Sequence, residues 1–124
     1  MATIGPVPPM DAPEWQERSS GLKVWDVTVG DGPETKPGAT VTIHYTGWLP
    51  NGTVFDSSKT RGTPITFPLA RLIPGWQEGV PGMKPGGVRR LLIPYILGYG
   101  ERGMPPTIPP KATLIFEIEM ISAK

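Results

Sequence analysis

The chain holds 16 glycines and 17 prolines among 124 residues, about a quarter of its length. A proline and glycine content near this level can accompany disorder. Placement argues otherwise here. These residues cluster between segments of clean apolar and polar alternation, where turns need a positive or a fixed φ. The pattern therefore predicts one strand-rich domain with many turns, and the length leaves no room for a second core.

Residues 1–20 carry Pro6, Pro8, Pro9 and Pro13 without steady periodicity and read as an extended, partly mobile lead-in. Within it, Trp15 reads equally well as docked on the domain surface or as exposed. The domain is expected over residues 21–124. Leu22 to Val29 reads as a strand closed by the turn-forming run Gly30-Asp31-Gly32-Pro33. Thr40 to Trp48 alternates most clearly, with Val41, Ile43 and Tyr45 on one face and Thr42, His44 and Thr46 on the other. Pro50-Asn51-Gly52 supplies a hairpin turn, and Val54 to Ser57 returns from it. Ile65 to Phe67 is a short extended piece. Pro74 to Val80 is the one good helix candidate, since Pro74 suits the first helical position and Gly79 or Gly82 can end the run. Val88 to Ile93 and Ala112 to Ile121 complete the strands. In the last, Leu114, Phe116, Ile118 and Met120 share a face opposite Glu117 and Glu119. The fold class is therefore α+β, with five to six antiparallel strands and one short helix. The connection Pro94 to Lys111 exceeds the ~12–15 residues beyond which loops are usually functional.

Several function classes drop out on composition. A net charge of +1 provides no long-range attraction for nucleic acid or an anionic membrane. With no cysteine and only His44 among histidines, disulfides, thiolate nucleophiles and a histidine-rich metal site are excluded, and no cofactor is expected. His44 reads as a solvated strand residue, and Arg89-Arg90 as a solvated pair. No apolar run approaches the ~20 residues that span a bilayer, and Met1 to Met10 lacks the features of a leader. The expected address is the cytoplasm. A secreted or periplasmic location would follow only if a leader had been removed ahead of Met1.

The run Val41-Thr42-Ile43-His44-Tyr45-Thr46-Gly47, followed by Gly52-Thr53-Val54-Phe55-Asp56-Ser57-Ser58, strongly resembles the opening of the FKBP family. The resemblance continues through Ile73-Pro74-Gly75-Trp76-Gln77-Glu78-Gly79-Val80 and Met83-Lys84-Pro85-Gly86. It ends in Gly98-Tyr99-Gly100 and Ile108 to Phe116. It implies a twisted antiparallel sheet wrapped around the short helix, with a pocket between them. It also implies peptidyl-prolyl cis–trans isomerase activity in protein folding, by a monomer acting on proline-containing polypeptides and inhibited by macrolides of the rapamycin class. The resemblance assigns Tyr45, Asp56, Ile73, Tyr99 and Phe116 to catalysis, with the Ile73 N–H donating to a substrate carbonyl. It assigns Phe55, Arg61, Ile65, Leu72, Trp76, Met104 and Ile108 to substrate binding, Trp76 forming the floor.

Without that resemblance, Tyr45, Trp76 and Phe116 would read as plain core. Asp56 and Arg61 would be a loop ion pair worth ~0–1 kcal/mol. Four features depart from the family pattern. The approach from Phe67 to Trp76 is short, Ile65 stands where an aromatic is common, and Met104 and Thr107 alter the long loop. The alternatives to an enzyme are a module that holds proline-containing segments, and a folding chaperone with little turnover.

Overall fold

The computed structural model describes residues 5–124. Its strands are β1 (Gln16–Glu17), β2 (Lys23–Thr28), β3 (Thr40–Trp48), β4 (Val54–Ser57), β5 (Ile65–Pro68), β6 (Val88–Ile93) and β7 (Leu114–Ala123). One α-helix, α1 (Pro74–Gly79), lies between β5 and β6. The strands form a single seven-stranded antiparallel sheet in the order β1-β2-β6-β7-β3-β4. On its other side β3 pairs with two strands in turn. Thr40 to Ile43 lie against β5, and Thr46 to Trp48 against β4. The chain must leave the sheet between those two strands, and it carries Arg61 out with it. The α+β architecture expected from the alternation is the one observed.

Alternation has the predicted consequence in β3 and β7. Val41, Ile43, Tyr45, Leu114, Phe116, Ile118 and Met120 are all buried on the concave side, around α1. Ile115 points the other way and is also fully buried, because the convex face has its own cluster of Trp48, Leu92 and Ile115. Val7 and Trp15 cover that cluster. Residues 1–4 of the lead-in lie outside the described residues. The remainder meets the sheet before residue 21: β1 pairs with β2, and the Trp15 ring stands edge-on to Trp25 at 5.4 Å. Trp15 is docked, its Nε1 donating to the Pro9 carbonyl at 2.7 Å. An uncovered face of Trp48, Leu92 and Ile115 would leave a large apolar area in water, which supplies the drive for docking.

The expectation of a solvated Arg89-Arg90 pair is corrected. Successive strand residues point to opposite faces, so the two guanidinium groups part. Arg89 is only 8% exposed. It donates to Asp26 at 2.6 Å and to the carbonyls of Gly79 and Pro81 at 2.8 and 3.1 Å. Arg90 lies 4.5 Å over the Trp25 ring and donates to Glu117 at 2.9 Å. His44 is likewise half-buried, its Nδ1 2.9 Å from Ser58 Oγ.

A helix of six residues has too few hydrogen bonds to offset its nucleation cost. It is held by close approach to β6. A Cβ placed on Gly75 would lie 2.7 Å from both Cδ1 and Cγ2 of Ile93 and 2.9 Å from its Cγ1. Ile93 is itself fully buried, so it has no open space to move into. Alanine raises helix propensity by at most ~1 kcal/mol over glycine, whereas overpacking a core costs ~1–3 kcal/mol. Gly75→Ala is therefore expected to lower stability by about 1–2 kcal/mol. Urea unfolding will check this, and an unchanged or raised midpoint would show that the helix is not seated so tightly.

Candidate functional site

A cavity of about 360 Å³ opens between α1 and the concave face of the sheet, within the ~300–1,000 Å³ typical of ligand pockets. It is lined by residues from every element that borders it. β3 supplies Tyr45, β4 Phe55 and Asp56, β5 Phe67, and β7 Phe116. The stretch before α1 adds Arg71, Leu72 and Ile73, α1 adds Trp76, and the long loop adds Tyr99 and Met104.

The floor is aromatic and rigidly built. Tyr45 meets Trp76 nearly perpendicular at 5.4 Å between ring centres, Phe116 meets it at 5.1 Å, and Phe67 at 6.3 Å. Phe55 stands edge-on to Phe116 at 5.5 Å. Edge-to-face contacts of this kind fix ring orientation beyond what area burial alone does. Gly47 makes the last pair possible, because a Cβ there would fall 2.6 Å from Phe55 and 2.7 Å from Phe116. Among the described residues, Trp76 Nε1 is a buried donor with no acceptor. Leaving such a group unpaired costs ~1–3 kcal/mol, which a phenylalanine filling plain core would avoid.

Polar groups occupy the rim. The Tyr45 hydroxyl donates to Asp56 Oδ2 at 2.5 Å and accepts from Arg61 Nη2 at 3.2 Å, and Arg61 Nη1 closes the triangle at 3.4 Å from Asp56 Oδ1. Burial, and then the Asp56 carboxylate that accepts its proton, push the Tyr45 phenol up to about 12. Burial also raises Tyr99, with the Asp56 charge adding to it. The hydrogen bond to the Tyr45 hydroxyl helps hold Arg61 in its charged form. The backbone before α1 is pinned by Gln77, whose Nε2 donates to the Leu72 carbonyl at 2.7 Å. The Ile73 carbonyl accepts from the N–H groups of Trp76 and Gln77, while among the described residues the Ile73 N–H donates no backbone hydrogen bond.

Of the residues singled out in the sequence, Tyr45, Phe55, Asp56, Leu72, Ile73, Trp76, Tyr99, Met104 and Phe116 converge on this cavity. Arg61 stands behind the rim and reaches it only through Tyr45 and Asp56. Ile108 is 2% exposed and belongs to the core, where it anchors the long loop through paired backbone hydrogen bonds with Met104. Ile65 also falls outside the lining. It pairs with Ile43 in β3, and Phe67, two residues on and therefore on the same face, supplies the aromatic instead. Phe67, Arg71 and Gln77 were not singled out. Only Phe67 left a signal, the period of two within its short strand.

The sequence matches the family described as FKBP-type peptidyl-prolyl cis-trans isomerase over residues 32–121. Over 103 residues it is 52% identical to the FK506-binding protein of Neisseria meningitidis serogroup B, covering 82% of this chain and 94% of that one. It is 54% identical over 91 residues to the peptidyl-prolyl cis-trans isomerase FPR2 of Saccharomyces cerevisiae, covering 71% of this chain and 67% of that one. Among solved structures, FkpA from Escherichia coli superposes with a TM-score of 0.86 at 41% identity, over 92% of this chain and 53% of that one.

The Tyr45 phenol binds its proton more tightly in the folded chain than in the unfolded one. Its contribution to stability is thus complete below the ordinary value of 10.0 and is lost as pH rises toward about 12. The urea midpoint should fall more steeply across that window in the wild type than in Tyr45→Phe. Equal slopes would mean that folding does not hold this proton.

Proposed function

The chain belongs to the FKBP-type peptidyl-prolyl cis–trans isomerase family, and from that premise we propose that its aromatic cavity accelerates rotation about Xaa-Pro bonds in polypeptides. The barrier to that rotation is ~18–20 kcal/mol, because resonance holds the amide planar. The isomers themselves differ by only ~0.5–1 kcal/mol, so the task is purely kinetic. Water solvates the planar, polar amide better than the twisted one, whose resonance is broken. A proline ring seated on Trp76, among Tyr45, Phe55, Phe67 and Phe116, loses that solvation. The cavity thereby favours the twisted form, and each ~1.4 kcal/mol of such preference gives about tenfold in rate.

The observation that carries this reading is the free Ile73 N–H on the wall beside the Trp76 floor. A backbone donor with no acceptor among the described residues, fixed between the Gln77-bound Leu72 carbonyl and the start of α1, offers a substrate carbonyl one preset hydrogen bond. Tyr99 offers a second through its hydroxyl. Asp56 and Arg61 hold the Tyr45 ring in place rather than attacking the substrate, and the rotation needs no nucleophile. The cavity is also proposed to bind macrolides of the rapamycin class, supported by its apolar lining and by relatives named for FK506 binding.

A protease-coupled assay on a Leu-Pro tetrapeptide tests this. The wild type should accelerate exchange well beyond its spontaneous ~10–100 s. Tyr99→Phe keeps the ring and strands no buried partner, so it should lower kcat/KM about twofold to tenfold, the worth of one neutral hydrogen bond, with stability nearly unchanged. A wild-type rate no faster than the spontaneous one would contradict the proposal.

A further inference from the structure

The cavity wall carries one charge that nothing among the described residues answers. Arg71 ends the short 3-10 turn Leu69–Arg71 and contributes to the wall immediately before Leu72 and Ile73. It is exposed, and among the described residues its side chain makes neither an ion pair nor a hydrogen bond. Arg18, Arg61, Arg89 and Arg90 each have a carboxylate partner. The other charged residue of the lining, Asp56, is already engaged by Arg61 and by the Tyr45 hydroxyl. Asp56, Arg71 and the Arg61 behind them therefore sum to a net positive charge, and the unshared part of it sits on Arg71.

We infer that Arg71 makes the enzyme select substrates with an acidic side chain beside the proline. This rests on the isomerase reading of the cavity. A substrate whose carbonyl binds the Ile73 N–H runs along the wall to which Arg71 belongs. An extended chain advances ~3.3 Å per residue, so a long arginine side chain two positions from that N–H reaches the residues that flank the proline. Guanidinium groups pair with carboxylates through two parallel N–H donors, which gives orientation as well as attraction. A glutamine or leucine at the same substrate position takes no such pair.

The test is a set of tetrapeptides with Glu, Gln or Leu placed before the proline, and a second set with the same residues after it. Exchange is followed without a helper protease, so that substrate charge acts on one enzyme only. In the wild type the Glu-to-Gln ratio of kcat/KM should exceed one in at least one set, by about twofold to fivefold, the size that an exposed ion pair supplies. That ratio should fall toward parity in Arg71→Gln, invert in Arg71→Glu, and shrink with added salt. A merely structural role for Arg71 would shift all three peptides together and leave the ratios alone. Catalysis of the neutral peptides with the same Glu-to-Gln ratio in wild type and Arg71→Gln would overturn the inference while the isomerase reading stands. No acceleration of any peptide would overturn both.

Discussion

Helix α1 spans six residues and cannot persist alone, so its position is set by contact with β6. Gly75 and Gly79 bring its backbone against Ile93 and Leu91, closer than any side chain would allow. At the far end Arg89 reaches from β6 to the carbonyls of Gly79 and Pro81. The Gly79 carbonyl is among the acceptors that a helix terminus leaves without an internal partner, and a cation there also suits the helix dipole. Asp26 stands against the guanidinium at 2.6 Å, which makes the burial of Arg89 tolerable. Trp76 and the Ile73 N–H ride on this helix and its first turn. Their placement in the cavity is therefore a consequence of how two glycines and one arginine fasten α1 to the sheet.

The site separates its polar and apolar parts by depth. Aromatic edges form the floor and lower walls, and, apart from the buried Trp76 Nε1, the hydrogen-bonding groups of Tyr45, Asp56 and Arg61 stand at the rim. Tyr45 joins the two zones. Its ring packs on Trp76 while its hydroxyl sits in the triangle with Asp56 and Arg61. A proline ring can enter such a cavity while the flanking peptide groups remain at the rim. That arrangement suits a reaction in which one amide must lose solvent and nothing covalent is exchanged.

Much of this was legible in the sequence, for physical reasons. β3 and β7 each turn one continuous apolar face to the concave side, so their alternation was clear, and Pro74 marked the start of α1. The motifs around Tyr45, Asp56, Trp76 and Tyr99 located most of the wall by resemblance. What was hidden depends on contacts between segments far apart in the chain. Trp15 sits among prolines with no period, and only the apolar convex face at Trp48, Leu92 and Ile115 explains where it goes. Arg89 and Arg90 look alike in a row but serve opposite faces of one strand. Ile65 and Phe67 share a face, and the alternation that groups them does not tell which of the two lines the cavity. Arg71 and Gln77 belong to no alternation that could have flagged them.

A cavity of this kind, read as proposed above, speeds rotation without shifting its equilibrium. Exchange spectroscopy by nuclear magnetic resonance on an unmodified Leu-Pro peptide, at equilibrium and in both light and heavy water, addresses it directly. The expected result is cis–trans exchange far faster than the spontaneous ~10–100 s, an unchanged isomer ratio with catalytic enzyme, and nearly equal rates in the two solvents. Exchange at the spontaneous rate, with the peptide merely bound, would contradict it. So would a rate several-fold slower in heavy water, which would require a proton transfer that this arrangement does not include.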